Sequence, residues 1–140
     1  MAIPVKLVVD GGCTVQADNA PGSWAALLVA YKPDGSTVEK ALSGSVENTT
    51  NNRMELTAVI EGLRVLKQTG VAVEIVCDSQ YVVCTMTKSW KRKANHDLWA
   101  ALDAVIAEKQ PVITWTWVRG HAGDPFNERV HKLVMQAREA

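Results

Sequence analysis

Three acidic residues stand where their surroundings could let them work together. Two β-branched runs, Val5–Val9 and Val71–Cys77, are each followed at once by an aspartate, Asp10 and Asp78. Strand ends in open α/β sheets are where ligands bind. The third acid, Glu55, reads as part of the first turn of a helix, four residues after Asn51, whose amide can cap that helix. Taken singly, each has an ordinary explanation. An aspartate can simply stop a strand in a turn, and a glutamate near a helix start gains roughly 0.3–1 kcal/mol from the dipole. If the three converge, their repulsion demands a cation. Mg²⁺, a hard ion held by carboxylates and substrate phosphates, is the usual solution. Two such ions about 4 Å apart suit in-line hydrolysis of a phosphodiester.

The elements that must position these acids follow from periodicity. Val5–Val9 reads as a buried strand stopped by Gly11 and Gly12, and residues 13–23 as a polar loop. Trp24–Tyr31 and Thr37–Leu42 read as an antiparallel pair around the turn Lys32-Pro33-Asp34-Gly35, where Pro presets φ and Gly permits φ > 0. The capping-rich cluster Glu47–Asn52 precedes a helix from Met54 to Leu66, with apolar positions 56, 59, 60, 63 and 66 on one face and Gly70 beyond its end. After the strand Val71–Cys77 come a short helix over Gln80–Thr87 and a basic segment, Lys88–Lys93. A helix over Asp97–Lys109 carries Leu98, Ala101, Leu102 and Val105 on one side and is stopped by Pro111. The strand Val112–Val118 and a last amphipathic helix, Pro125–Ala137, complete the order β, β, β, α, β, α, α, β, α. Strands alternating with helices require right-handed crossovers and parallel pairing. The expected architecture is α/β: a five-stranded mixed β-sheet flanked by α-helices.

Composition narrows the function classes. The 140 residues are 47% hydrophobic and 21% charged, the profile of one folded domain over 1–140 rather than a disordered chain. Fifteen basic residues balance fifteen acidic ones, which excludes a binder resting on global positive charge; nucleic-acid contact must use a local patch. No apolar run approaches 18 residues and the N-terminus lacks the pattern of a signal peptide, so the expectation is a cytoplasmic protein without a membrane partner. Three cysteines, Cys13, Cys77 and Cys84, without CxxC spacing argue against a disulfide framework and a zinc site.

Four segments occur in order: Val8-Val9-Asp10-Gly11-Gly12-Cys13, Thr49–Leu56, Asp78-Ser79-Gln80-Tyr81-Val82 and Val118–Arg129 with its Arg119-Gly120-His121 turn. Together they closely resemble type 1 ribonuclease H, over nearly the whole chain. The resemblance implies the ribonuclease H-like fold and an endonuclease that cuts the RNA strand of RNA/DNA hybrids with two divalent metals, Mg²⁺ or Mn²⁺, acting as a monomer. It implies that Asp10 touches both metals and that Glu55 and Asp78 complete the site. It also implies that Glu55 accepts a hydrogen bond from the ribose 2′-hydroxyl, the group that distinguishes RNA from DNA. His121 would shuttle protons or help release product, as an imidazole titrating near neutrality can; a surface-loop histidine is the plainer alternative. Thr50, Asn51, Asn52, Arg53 and Gln80 match hybrid-contacting positions, and Asn19 is a looser match in a longer loop.

Two departures stand out. The family's fourth metal carboxylate is usually an aspartate two positions after the Asn-Glu-Arg motif, and here Asn127-Glu128-Arg129-Val130 puts His131 there. Either His131 binds or orients a metal-bound water, or the other three acids suffice; Asp124 and Glu128 are the nearest spare acids. An imidazole in that place suits Mn²⁺ better than Mg²⁺ and makes the rate fall at acid pH. Second, the long Trp- and Lys-rich protrusion of many bacterial relatives is reduced to Lys88-Ser89-Trp90-Lys91-Arg92-Lys93. Trp90, Lys91, Arg92 and Lys93 can still meet phosphate and sugar, with weaker affinity and a salt-dependent KM; a solvated turn is the alternative. Trp99, Trp115 and Trp117 read as core. No separate hybrid-binding domain is expected. A catalytically weak nucleic-acid-binding module of the same fold is the competing function, supported by the missing aspartate and opposed by the retained Asp10, Glu55, Asp78 and His121.

Overall fold

The computed structural model describes residues 3–14, 20–88, 90–119 and 124–139. Among these described residues, five strands and four helices follow the expected order: β1 (Val5–Cys13), β2 (Ala20–Tyr31), β3 (Thr37–Thr49), α1 (Asn51–Arg64), β4 (Ala72–Cys77), α2 (Gln80–Thr87), α3 (His96–Lys109), β5 (Val112–Trp117) and α4 (Pro125–Glu139). They form one mixed sheet in the order β3-β2-β1-β4-β5. The meander β1-β2-β3 is antiparallel, and β4 and β5 add in parallel on the other side of β1.

Alternation along the central strands splits the core between the two faces. Leu7 and Val9 of β1 and Ile75 and Cys77 of β4 join α1 and α3 in the larger cluster, where Leu56, Leu63 and Trp99 are fully enclosed. Val8 and Val76 face the other way, against Val130 and Val134 of α4. Each such buried aliphatic contributes roughly 1.5–3 kcal/mol of transfer free energy. The sheet is thereby clamped between α1 and α4, and the residues that close the site come from these two helices.

Boundaries moved where pairing overrode local signals. Gly11 and Gly12 do not stop β1, which pairs with β2 as far as Cys13 opposite Gly22. Residues 20–23, read as loop, open β2 because that pairing recruits them. Likewise β3 runs to Thr49, opposite Ala20, so Glu47–Thr49 lie in a strand rather than in a capping segment, and Thr50 caps α1. Trp117 is 41% exposed and belongs to the surface, not the core, whereas Trp99 is buried and Trp115 packs partly against the larger cluster.

Candidate active site

Asp10 and Asp78 meet because β1 and β4 are parallel neighbours in register. Their ladder ends at Val8 opposite Val76, which sets Asp10 level with Asp78 two residues further on both strands. Beyond that point β1 continues along β2 alone, and the gap between β1 and β4 opens the mouth of the site. Glu55 enters from α1. That helix begins at Asn51, so Glu55 stands in its second turn, beyond the reach of the N-terminal dipole, and is only 7% exposed. A surface dipole partner is therefore not its role.

Gly11 makes the approach of Glu55 possible. A Cβ on Gly11 would stand 2.6 Å from the Met54 carbonyl carbon and 2.8 Å from the Glu55 nitrogen. Only a residue without a side chain lets β1 pass under the first turns of α1 at this distance. The helix start is tied down from two sides. The Thr50 hydroxyl accepts from the Arg53 N–H at 3.3 Å, and Asn51 Oδ1 accepts from the Cys13 N–H at 2.6 Å, linking α1 to β1.

One ligand oxygen from each of Asp10, Glu55 and Asp78 lies within 4.8 Å of the others. Glu55 and Asp10 are both buried, Asp10 at 6% exposure, while Asp78 is partly open. Burial raises the Glu55 carboxyl well above its ordinary pKa, and the charges of Asp78 and Asp10 push it the same way. The Cys77 thiol donates to Glu55 Oε2 at 3.8 Å, itself held protonated by burial and by that neighbouring carboxylate. The Gly11 N–H donates to Asp10 Oδ1 at 2.9 Å. Three oxygen donors crowded under mutual repulsion fit a hard divalent cation.

His131, on α4, places Nδ1 3.2 Å from Asp10 Oδ2. A carboxylate only accepts, so the contact is a hydrogen bond in the tautomer that carries its hydrogen on Nδ1. His131 thus lines the site and braces Asp10, while the converging ligand atoms come from Asp10, Glu55 and Asp78. Asp124 is used elsewhere: its Oδ1 accepts from the Phe126 N–H at 2.8 Å at the start of α4. Glu128 is exposed and does not line the cavity. The cavity, of about 350 Å³, runs from the acids and His131 past Gly12 and Cys13 to Arg138 near the end of α4.

The other sequence candidates divide by how much the fold already uses them. Asn52 and Gln80 are exposed at the starts of α1 and α2, and the neighbouring Ser79 caps α2. Arg53 is engaged: its guanidinium makes 2.7 and 2.9 Å bonds to Asp97 and one of 3.3 Å to Asn95 Oδ1, holding the Asp97 carboxyl at about 2. Arg92 is engaged as well, bound to Asp103 at 2.6 and 3.1 Å and stacked over Trp99 at 4.8 Å. Trp90 (49% exposed), Lys91 and Lys93 face solvent. Asn19 and His121 lie outside the described residues. Sequence reasoning missed Cys77 as a contact of Glu55 and Arg138 as a wall of the cavity. Alternation in β4 signals the first, since Cys77 shares a face with Ile75; no local pattern signals the second.

The comparisons agree with this geometry. The RNase H family model matches residues 4–139. The chain is 44% identical to a ribonuclease H of Bordetella pertussis, over 97% of this chain and 90% of that protein. It is 43% identical to a ribonuclease H of Hydrogenovibrio crunogenus, over 96% and 95%. Among solved structures, it is similar to LC9-RNase H1, described as a type 1 RNase H with the type 2 active-site motif. There the TM-score is 0.87 with 31% identity, covering 99% of this chain and 74% of the other. With the sheet order, the level pair of aspartates and a family match that spans both, the chain belongs to the RNase H family.

Proposed function

We infer that this chain is an endoribonuclease that hydrolyses the RNA strand of RNA/DNA hybrids with divalent cations. The observation that carries the reading is the convergence of Asp10, Glu55 and Asp78. Three carboxylates pressed together, two of them buried, are a poor device for holding a polyanion by themselves and a good one for holding cations against it. For that reason the reading of a catalytically weak binding module is the lesser one.

Asp10, Glu55 and Asp78 would hold two ions, Mg²⁺ or Mn²⁺, which when bound neutralise phosphate charge and activate the attacking water. The chain's own groups do the rest. Asp10, braced by Gly11 and His131, is fixed in orientation before substrate arrives. Glu55 presents a buried carboxyl able to accept from a ribose 2′-hydroxyl, which DNA lacks. His131, beside Asp10, would help hold a cation or its water. His121 serves proton transfer or product release. Thr50, Asn51, Asn52 and Gln80 offer hydroxyl and amide groups to the hybrid, with Trp90, Lys91 and Lys93 meeting a backbone farther out. Arg53 and Arg92, though committed to Asp97 and Asp103, keep N–H groups that can face a phosphate.

Among the described residues no helix is long and apolar enough to cross a membrane. We read residues 1–140 as a single catalytic domain acting as a monomer in the cytoplasm; sedimentation with and without hybrid checks the stoichiometry. The test of function is cleavage of a labelled RNA/DNA hybrid in Mg²⁺ and separately in Mn²⁺, with duplex DNA, duplex RNA and Asp10→Asn beside it. Hybrid-only cleavage that vanishes in Asp10→Asn is the expected result. Intact hybrid binding without cleavage in either metal would leave the binding module instead.

A further inference from the structure

We propose that Arg138 is a substrate-positioning residue that grips a phosphodiester of the RNA strand next to the one being cut, a reading that rests on the nuclease function above. Arg138 lines the same cavity as Asp10, Glu55 and Asp78. It is the one guanidinium or ammonium group among the described residues of that wall. It is held in place by the fold rather than by a counter-charge. Its Nε donates to Ser23 Oγ at 3.3 Å and one terminal nitrogen to the Cys13 carbonyl at 3.1 Å. Ser23 is itself fully buried and donates to the Val134 carbonyl, one turn back along α4, at 2.6 Å. Among the described residues no carboxylate is in ion-pair range of Arg138.

A guanidinium carries five N–H donors in a planar fork matched to phosphate geometry, and these two bonds use two of them. The other terminal nitrogen reaches toward Gly12, about 3.5 Å from where a Cβ would stand there, so the missing side chain leaves that corner of the cavity open. At about 350 Å³ the cavity has the volume of about a dozen liquid waters, room for more than the scissile phosphate. Beyond Arg138 a second hollow of about 260 Å³ is lined by Pro21, Gly22, Ser45 and Glu47. The Glu47 carboxylate disfavours a second anion there, which limits the contact to one phosphate on the side of the three acids.

The experiment compares wild type, Arg138→Gln and Arg138→Lys in hybrid cleavage, in hybrid binding across a salt series, and in thermal unfolding. Gln keeps hydrogen-bonding capacity without charge; Lys keeps charge without the fork. For Arg138→Gln the expected result is a KM about tenfold higher with kcat changed less than about threefold. The log–log salt slope of hybrid affinity should become shallower by about one, the signature of one lost phosphate contact. Arg138→Lys should recover the slope and part of KM. Unchanged KM and slope in Arg138→Gln overturn the proposal. So does a loss of equal size in both variants that only tracks lower thermal stability, because a merely structural Arg138 gains nothing from the charge that Lys restores. Wild type that fails to cleave hybrid at all refutes the nuclease reading instead, which separates the two failures.

Discussion

Glu55→Gln should stabilise the metal-free protein at neutral and alkaline pH while abolishing catalysis. The wild-type side chain is enclosed with two other carboxylates whose ligand atoms lie within 4.8 Å. At that separation two like charges repel by about 0.9 kcal/mol in bulk water and about 3.5 kcal/mol at an effective dielectric of 20. The site opens toward solvent at Asp78 and the carboxyl escapes part of the cost by holding its proton, so relief of about 1–3 kcal/mol is expected. For a chain of 140 residues that corresponds to a rise in Tm of about 3–10 °C. The direction with pH follows from the raised pKa. The stability contributed by the protonated carboxyl is fully present below its ordinary value of 4.5 and is lost as pH climbs through the raised folded value. The gap between Glu55→Gln and wild type should therefore be small at acid pH and open as pH rises. Metal inverts the order: wild type gains about 2.7 kcal/mol when Mg²⁺ stands at a hundred times its Kd, and the variant gains less. Calorimetric or fluorescence melts in chelator and in Mg²⁺, from pH 4 to 9, measure all of this. A variant less stable than wild type in chelator at pH 8, or one with the same Mg²⁺ shift, would refute the reasoning.

Gly11→Ala should cost about 1–3 kcal/mol in urea unfolding and reduce kcat by more than tenfold, because the new methyl displaces the turn of α1 that carries Glu55. Unchanged kcat would mean that the site tolerates the displacement. His131→Ala removes the brace on Asp10 and should alter the Mn²⁺/Mg²⁺ activity ratio and the acid limb of the rate profile; a variant unchanged in both leaves His131 without a role in the site. Neutralising Lys91 and Lys93 should flatten the salt dependence of KM with Tm intact. Arg92→Gln should instead lower Tm, since it loses Asp103 and the face of Trp99; equal behaviour of the three positions would contradict that division.

Much of the site was legible in the chain because the residues that carry it sit at places local physics marks. Asp10 and Asp78 follow β-branched runs, and Glu55 follows a capping cluster. The longer helices announced themselves by apolar faces, as at 56, 59, 60 and 63. What misled was punctuation. Gly11 and Gly12 read as a stop, yet local glycine signals cannot distinguish a chain that must turn from one that must pass close beneath a helix. Glu47–Thr49 read as capping residues and became strand because β3 continues across a register break to Thr49, which pairs with Ala20 of β2. Trp117 shares a strand face with Trp115, yet sits at the exposed end of β5, the edge of the sheet.

Residue order alone determined the sequence of elements, the family likeness and the three acids, since all depend on types and spacings along the chain. Tertiary structure decided what those residues touch. The register that ends at Val8 and Val76 levels the two aspartates, and the clamp of α1 and α4 on opposite faces brings Glu55 from one side and His131 and Arg138 from the other. It also committed Arg53 and Arg92 to Asp97 and Asp103. The physical reason is range. Periodicity and capping act over a few residues, whereas the bonds from His131 to Asp10 and from Arg138 to Cys13 join residues 121 and 125 positions apart and exist only once the sheet is sandwiched.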